Sequence, residues 1–193
     1  MQQYRSLTLI PPLVKRAKNL ARQMAYRTNC SDGSGRLLRL LASQTQGGLI
    51  GEIGSGCGVG TSWILSAIAP GTSLITVEKN ASLAAVSRTL LENYSMVRVL
   101  FGEWNEIVKF GPFSLLYVSA REARFCAPEV LMEALRLGGM MLIDSLVPLE
   151  QLPYESLQKT DPLRSFWLND SRLEATEINV SGSEAIILAT RIQ

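Results

Sequence analysis

The sequence predicts an α/β protein built on an open, doubly wound sheet, with five parallel strands closed by an antiparallel C-terminal hairpin. Three observations carry that reading. Short apolar runs alternate with segments of helical period from Leu49 to Ile143, the pattern of a parallel sheet covered on both faces. The first of these runs breaks abruptly into glycines, Gly54-Ser55-Gly56-Cys57-Gly58. Near the end, Leu173 to Val180 and Ala185 to Thr190 are joined only by Ser181-Gly182-Ser183-Glu184. So short a link makes an antiparallel pair and nothing else.

The elements follow in order. Leu13, Val14, Ala17, Leu20, Ala21 and Met24 recur at helical spacing after Pro12, which suits a first turn. The opposite face carries Lys15, Arg16, Lys18 and Arg22, with Arg27 beyond. It reads as a solvated face, with a docking surface for an acidic substrate or RNA as the alternative. Asn29 to Gly35 is a turn-rich break, and Ser34 or Asp32 is a candidate cap for a second helix through Leu37, Leu38, Leu40 and Leu41. Strands are expected at Leu49–Ile53, Leu74–Val77, Val97–Phe101, Phe113–Val118 and Met140–Ile143. Asn80 is a candidate cap for the helix of Leu83, Val86, Leu90 and Leu91, and a further helix is expected from Pro128 to Leu137, stopped by Gly138-Gly139. Asp161-Pro162 opens the last helix, through Phe166 and Leu168. The chain divides into an N-terminal helical cap (1–45) and a core (49–193) of one domain.

Composition bounds the function. A chain of 193 residues buries a substantial core, and its net charge of +2 is too small to argue for nucleic acid. No apolar run is long enough to span a bilayer, so a soluble, cytoplasmic protein is expected. The 3 cysteines, Cys30, Cys57 and Cys126, are far apart and indicate neither a disulfide framework nor a zinc site. The count of histidines is 0, which removes Ser-His and Cys-His catalysis and every His-ligated metal.

The glycine turn is the strongest functional feature. It lets backbone approach a ligand and aims free N–H groups at it. A dinucleotide fingerprint requires a small residue where Val59 stands, and a phosphate loop requires a lysine that is missing. What remains is an acid, Glu52, followed by alternating glycines. That arrangement suits a ligand with an ammonium or hydroxyls better than a pyrophosphate. Ligands in such sheets bind beyond the carboxyl ends of the strands. There the second strand offers Glu78, an acceptor for both hydroxyls of a ribose. The third offers Glu103 for an adenine amino group and Trp104 for a purine face, although a core indole is equally compatible.

The loop looks like the first motif of class I S-adenosylmethionine (SAM) methyltransferases, whose Rossmann-like seven-stranded sheet ends in such a hairpin. From about Ser31 onward the chain resembles the small O-methyltransferases of the caffeoyl-CoA and catechol type and their bacterial relatives. The resemblance rests on Gly35-Arg36-Leu37-Leu38, Glu52-Ile53-Gly54-Ser55-Gly56-Cys57-Gly58, Val77-Glu78 and Gly102-Glu103. It continues through Gly111-Pro112-Phe113-Ser114-Leu115-Leu116-Tyr117-Val118 and Leu135-Arg136-Leu137-Gly138-Gly139 before Asp144. It implies SAM as cofactor. The implied cofactor residues are Glu52, Gly54, Ser55, Gly56, Gly58 and Thr61 at the loop, then Glu78 and Lys79, then Gly102, Glu103 and Trp104, then Ser119.

The departures shape the rest of the expectation. Where the resembled family has Asp-Ala-Asp-Lys and Asp-Asn, with three metal ligands, this chain has Ser119-Ala120-Arg121-Glu122 and Asp144-Ser145. Only Asp144 keeps a carboxylate, a poor set for Mg²⁺, so no metal ligand is assigned. The expectation is O-methyl transfer to a small hydroxylated acceptor without an obligatory metal, with Asp144 or Glu122 as base or orienting group. Arg121 and Arg124, nearby in sequence, are candidates for holding Asp144 ionised or binding an acidic acceptor. The alternatives are a hydroxylated tRNA base as acceptor and a SAM- or nucleoside-binding protein without turnover. The resembled family is often dimeric, which makes a homodimer the assembly to test for.

Overall fold

The computed structural model describes residues 9–27, 30–123, 125–154 and 159–193. Thr28 and Asn29 of the turn-rich break, and Arg124, lie outside the described residues. In chain order the elements are α1 (Pro12–Gln23), α2 (Asp32–Gln44), β1 (Leu49–Ile53), α3 (Val59–Leu65), β2 (Ser73–Glu78), α4 (Ala81–Leu91) and β3 (Val97–Phe101). They continue with α5 (Asn105–Val108), β4 (Phe113–Ser119), α6 (Ala120–Ala123), α7 (Pro128–Glu133) and β5 (Leu135–Leu146). After a 3₁₀ turn at Leu149–Gln151 come α8 (Pro162–Asn169), β6 (Leu173–Ser181) and β7 (Glu184–Arg191).

The seven strands form one sheet in the order β3-β2-β1-β4-β5-β7-β6. The first five are parallel, and β7 pairs antiparallel with both β5 and β6. This is the expected architecture. Because strand side chains alternate between faces, each central strand feeds two cores. Ile53, Leu116, Val118, Met141, Ile143 and Ile187 pack with α5, α7 and α8 residues such as Ile107, Leu131 and Trp167. Ile50, Leu115, Tyr117, Leu142 and Ile186 pack against α1 to α4 through Val14, Leu38, Trp63 and Leu90. Gly35 permits the tight crossing of α2 over α3, since a β-carbon there would lie 2.2 Å from the Trp63 indole nitrogen.

Local chemistry sets most boundaries as expected. The Asn80 side chain accepts from the Ser82 and Leu83 N–H groups, and Asp161 does the same for Leu163 and Arg164. Two expectations are corrected. Ser31, not Ser34 or Asp32, caps α2, its hydroxyl accepting the Ser34 N–H at 3.1 Å. The helix expected through Leu137 stops at Glu133, and β5 starts at Leu135 rather than Met140. Gly138, at φ +72, and Gly139 lie inside that strand, where the pairing with β4 shifts register between Phe113 and Leu115. The glycine pair marks an irregularity in a strand, not a helix stop. Among the described residues, no helix is long and apolar enough to cross a membrane.

Candidate functional site

The strand order reverses between β1 and β4, and the site lies beyond their carboxyl ends. β1 runs directly into Gly54, Gly56 and Gly58, at φ +86, +53 and +80. All three are in the left-handed region that side chains enter at a cost. Gly58 is the residue before α3 and caps it without a side chain. Glu78 pins the loop from β2: its Oε2 accepts the Gly56 N–H at 2.8 Å, and its Oε1 accepts the Asn80 N–H at 2.8 Å. The Ser87 hydroxyl donates to the Gly56 carbonyl at 2.9 Å.

Glu52 sits fully buried beneath this loop. The Thr61 hydroxyl donates to its Oε2, while Oε1 has no hydrogen-bond partner among the described residues. Burial pushes its carboxyl up to about 7, against the downward pull of the Thr61 hydroxyl and then of the Thr76 hydroxyl, which lies near without a hydrogen bond of ordinary geometry. A β-carbon at Gly60 would lie 2.4 Å from Oε1 and 2.7 Å from the Tyr117 ring, so only glycine fits there. Buried acceptors are rarely left without donors. An orphaned carboxylate oxygen on a cavity wall, beside a glycine cradle, fits a ligand that brings an ammonium or hydroxyl donor.

The cavity holds about 200 Å³ and is lined by Glu52, Gly54, Ser55, Glu78, Lys79, Ser119 and Glu122 among the expected residues. A smaller cleft continues from Gly54 and Glu78 to Gly102 and Trp104. Lys79 and Glu122, which line both, form an ion pair at 3.1 Å.

Other expected residues stand elsewhere. Thr61 lies behind Glu52, and Glu103 is exposed and lines neither cavity. Asp144 is fully buried and is not on the cavity wall. It accepts from the Ser34 hydroxyl at 2.6 Å, the Tyr117 hydroxyl at 2.6 Å and the Ser145 N–H at 2.7 Å. Two of those partners, Tyr117 and Ser145, do line the cavity, and Ser145 takes φ +64 to do so. Burial, and then the charge of Asp144, push the Glu184 carboxyl up beside it. Burial also drives the Tyr117 phenol and the Cys30 thiol well above their usual values. Among the described residues no group of three or more Cys, Asp or Glu could hold a metal ion.

Sequence reasoning missed Tyr26, Cys30 and Tyr117, all on the cavity wall. Tyr117 had a readable signal, as a polar tip in an otherwise apolar strand. Tyr26 and Cys30 had none, because they arrive from the helical cap.

Comparison with known proteins places this geometry. A crystal structure of the O-methyltransferase TomG from Streptomyces achromogenes, in complex with SAM, superposes over 100% of both chains. Its TM-score is 0.78 at 21% identity, so the fold is that of the class I SAM-dependent methyltransferases. A protein-L-isoaspartate O-methyltransferase from Methanothermobacter thermautotrophicus is 35% identical over 95 residues, covering 48% of this chain and 43% of that protein. The Koribacter versatilis protein of the same name is 32% identical over 124 residues, covering 63% and 54%. The chain thus spans about half the length of the curated relatives it matches. The sequence model described as Protein-L-isoaspartate(D-aspartate) O-methyltransferase (PCMT) matches residues 18–164, from α1 through the glycine loop and all five parallel strands into α8. On that match, the chain belongs to the protein-L-isoaspartate(D-aspartate) O-methyltransferase family.

Proposed function

We propose that this chain is a SAM-dependent O-methyltransferase acting on a small hydroxylated acceptor, without an obligatory divalent metal. The observation that carries the cofactor is the orphaned Glu52 Oε1 on the wall of a glycine-lined cavity. SAM supplies an electrophilic methyl group when bound. Glu52, Gly54 and Ser55 would hold its amino-acid end, Glu78 its ribose, and the cleft at Gly102 and Trp104 its base. Ser119, beside Gly54, would help hold the cofactor, and Arg121, Glu122 and Ser145, which line the same cavity, would position the acceptor for in-line attack. Glu122 reaches the cavity directly, whereas Asp144 faces it through its partners, the Tyr117 hydroxyl being the one that can pass a proton. Either route gives the acceptor proton a carboxylate to move toward.

The donor set supports the metal-free part of the reading. At the positions where the resembled small O-methyltransferases keep ligands, Ser119 and Ser145 bring no charge, and the Asp144 oxygens are already committed to hydroxyl and N–H donors.

A second reading is methylation of an isoaspartyl carboxylate, as the relatives' names say of them. Its specific support is Arg121, which lines the cavity and has no ion-pair partner among the described residues. One assay separates the readings. Methyl transfer from labelled SAM is measured on a panel of catechols, hydroxylated nucleosides and an isoaspartyl peptide, first in excess chelator and then with Mg²⁺, Mn²⁺ or Ca²⁺. Turnover of a hydroxylated acceptor in chelator supports the first reading. Turnover only with added metal overturns its metal-free part, and turnover of the peptide alone supports the second. SAM binding without any turnover would leave a binding protein.

A further inference from the structure

Gly56, which the resemblance assigns to the cofactor, lines neither cavity, and its face is covered by a side chain from the helical cap. A β-carbon built at Gly56 would lie 2.6 Å from Cε1 of Tyr26 and 3.0 Å from its Cζ and Oη. The ring therefore rests directly on the loop. Two surfaces that clamp a ligand stand about 7–8 Å apart, twice an ordinary contact of ~3.5–4.0 Å. Nothing can lie between Tyr26 and Gly56 as they stand. The adjoining cavity, at about 200 Å³, is also smaller than the ~300–1,000 Å³ of a formed small-molecule site.

A strained turn aims the ring there. After α1, the Tyr26 N–H returns to the Ala21 carbonyl at 2.8 Å and the Ala25 N–H to that of Arg22 at 3.0 Å. This is a helix stop of the kind that favours glycine at its left-handed position. Here that position is Ala25, at φ +52. A β-carbon in that region is disfavoured, so Ala25 is a strained position immediately before the ring. The ring is also near the ribose acid: burial, and then the charge of Glu78, push its hydroxyl up to about 12.

We propose that Tyr26 gates the cofactor pocket, closing on Gly56 in one conformer and swinging out at Ala25 in another, with the cofactor binding only the open one. The proposal rests on the cofactor reading above. A gate lowers apparent affinity by the open fraction, so a tenfold excess of the closed conformer weakens binding about tenfold.

The test is calorimetric titration of the full chain with S-adenosylhomocysteine, on wild type, Tyr26→Ala and Tyr26→Phe. Tyr26→Ala should bind about five- to tenfold more tightly. Tyr26→Phe should bind less tightly than Tyr26→Ala, because the ring is what rests on the loop. Weaker or equal binding by Tyr26→Ala overturns the gate and makes the ring a ligand contact or a bystander. If wild type and variants alike fail to bind, the cofactor reading falls and the gate with it; if all bind alike, the gate alone falls. Hydrogen exchange on wild type gives a readout that needs no variant. Saturating S-adenosylhomocysteine should speed exchange of the Tyr26 amide while slowing that of Gly56, and an unchanged or slowed Tyr26 amide overturns the gate.

Discussion

The phenol of Tyr117, on β4, donates to Oδ2 of Asp144, on the neighbouring β5, at 2.6 Å. The Ser34 hydroxyl, in the first turn of α2, donates to the other oxygen at the same distance. One buried carboxylate thus ties the helical cap to two strands of the sheet beside the cavity. Removing a donor from a buried carboxyl leaves an oxygen unsatisfied, at its desolvation cost. Tyr117→Phe should therefore lower stability by about 1–3 kcal/mol, read from urea unfolding, while S-adenosylhomocysteine affinity stays near wild type. A variant as stable as wild type would mean that the hydroxyl contributes nothing to holding the carboxyl.

Glu52 sets a pH dependence. Its folded carboxyl, pushed up to about 7 by burial, stands above its ordinary 4.5. Between those values the folded chain holds a proton that the unfolded chain has released. Stability attributable to this group is therefore full below about pH 4.5 and falls as pH rises to about 7, by roughly 3 kcal/mol. Glu52→Gln should lack that slope when urea midpoints are compared at pH 5 and 8. Equal slopes would show that Glu52 is not the group responsible. A ligand ammonium group placed beside the carboxylate favours its ionised form, so S-adenosylhomocysteine should bind wild type more tightly at pH 7.5 than at pH 5.

Glu78 has two tasks to separate. It already holds the Gly56 and Asn80 N–H groups, and each oxygen keeps a lone pair for a ribose hydroxyl. Charge-assisted bonds of ~1.5–3 kcal/mol imply that Glu78→Gln weakens S-adenosylhomocysteine by roughly ten- to a hundredfold. Calorimetry with a deoxyribose analogue tells the tasks apart. An equal loss for both ligands would assign the residue to the loop alone.

Arg164, in α8, is buried, with only 6% of its side chain accessible. It forks onto Glu177 at 2.7 and 2.9 Å, reaches Asp161 at 2.8 Å and donates to the Val147 carbonyl at 2.7 Å. α8, β6 and the exit of β5 meet on this one guanidinium. Arg164→Ala should cost about 3–5 kcal/mol, because Glu177 is left without its partner. Arg164→Lys should recover little of it, since an ammonium cannot reproduce the fork. Thermal unfolding of the three proteins checks both statements.

Much of this was legible in the residues. Apolar runs gave the sheet, a four-residue link gave the hairpin, and Glu52, the glycines and Glu78 lie where strand-end reasoning put them. The misses have physical causes. Gly138-Gly139 reads as a helix stop in one dimension, but inside a sheet it marks a register shift. Asp144 reads as lying just past a strand end, but β5 runs on to Leu146 and Asp144 lies inside it; its burial depends on α2 folding over it through Ser34, a contact 110 residues apart. Tyr26 reaches the loop only because the chain reverses at Ala25, and an alanine gives no warning of a left-handed turn.

β6 precedes β7 in the chain, yet β7 is the strand that pairs with β5. The hairpin must therefore dock by its second strand, after the parallel strands have a surface to offer. Until it does, Met140, Met141, Leu142 and Ile143 form an open, apolar, uncharged edge, the kind that recruits foreign strands. Glu184 arrives with the same strand, so the acids around Asp144 come together at the moment that edge is covered. The interval before docking is where this fold is most exposed to aggregation. Substitutions that slow the hairpin would lower the yield of folded protein more than the stability of the product.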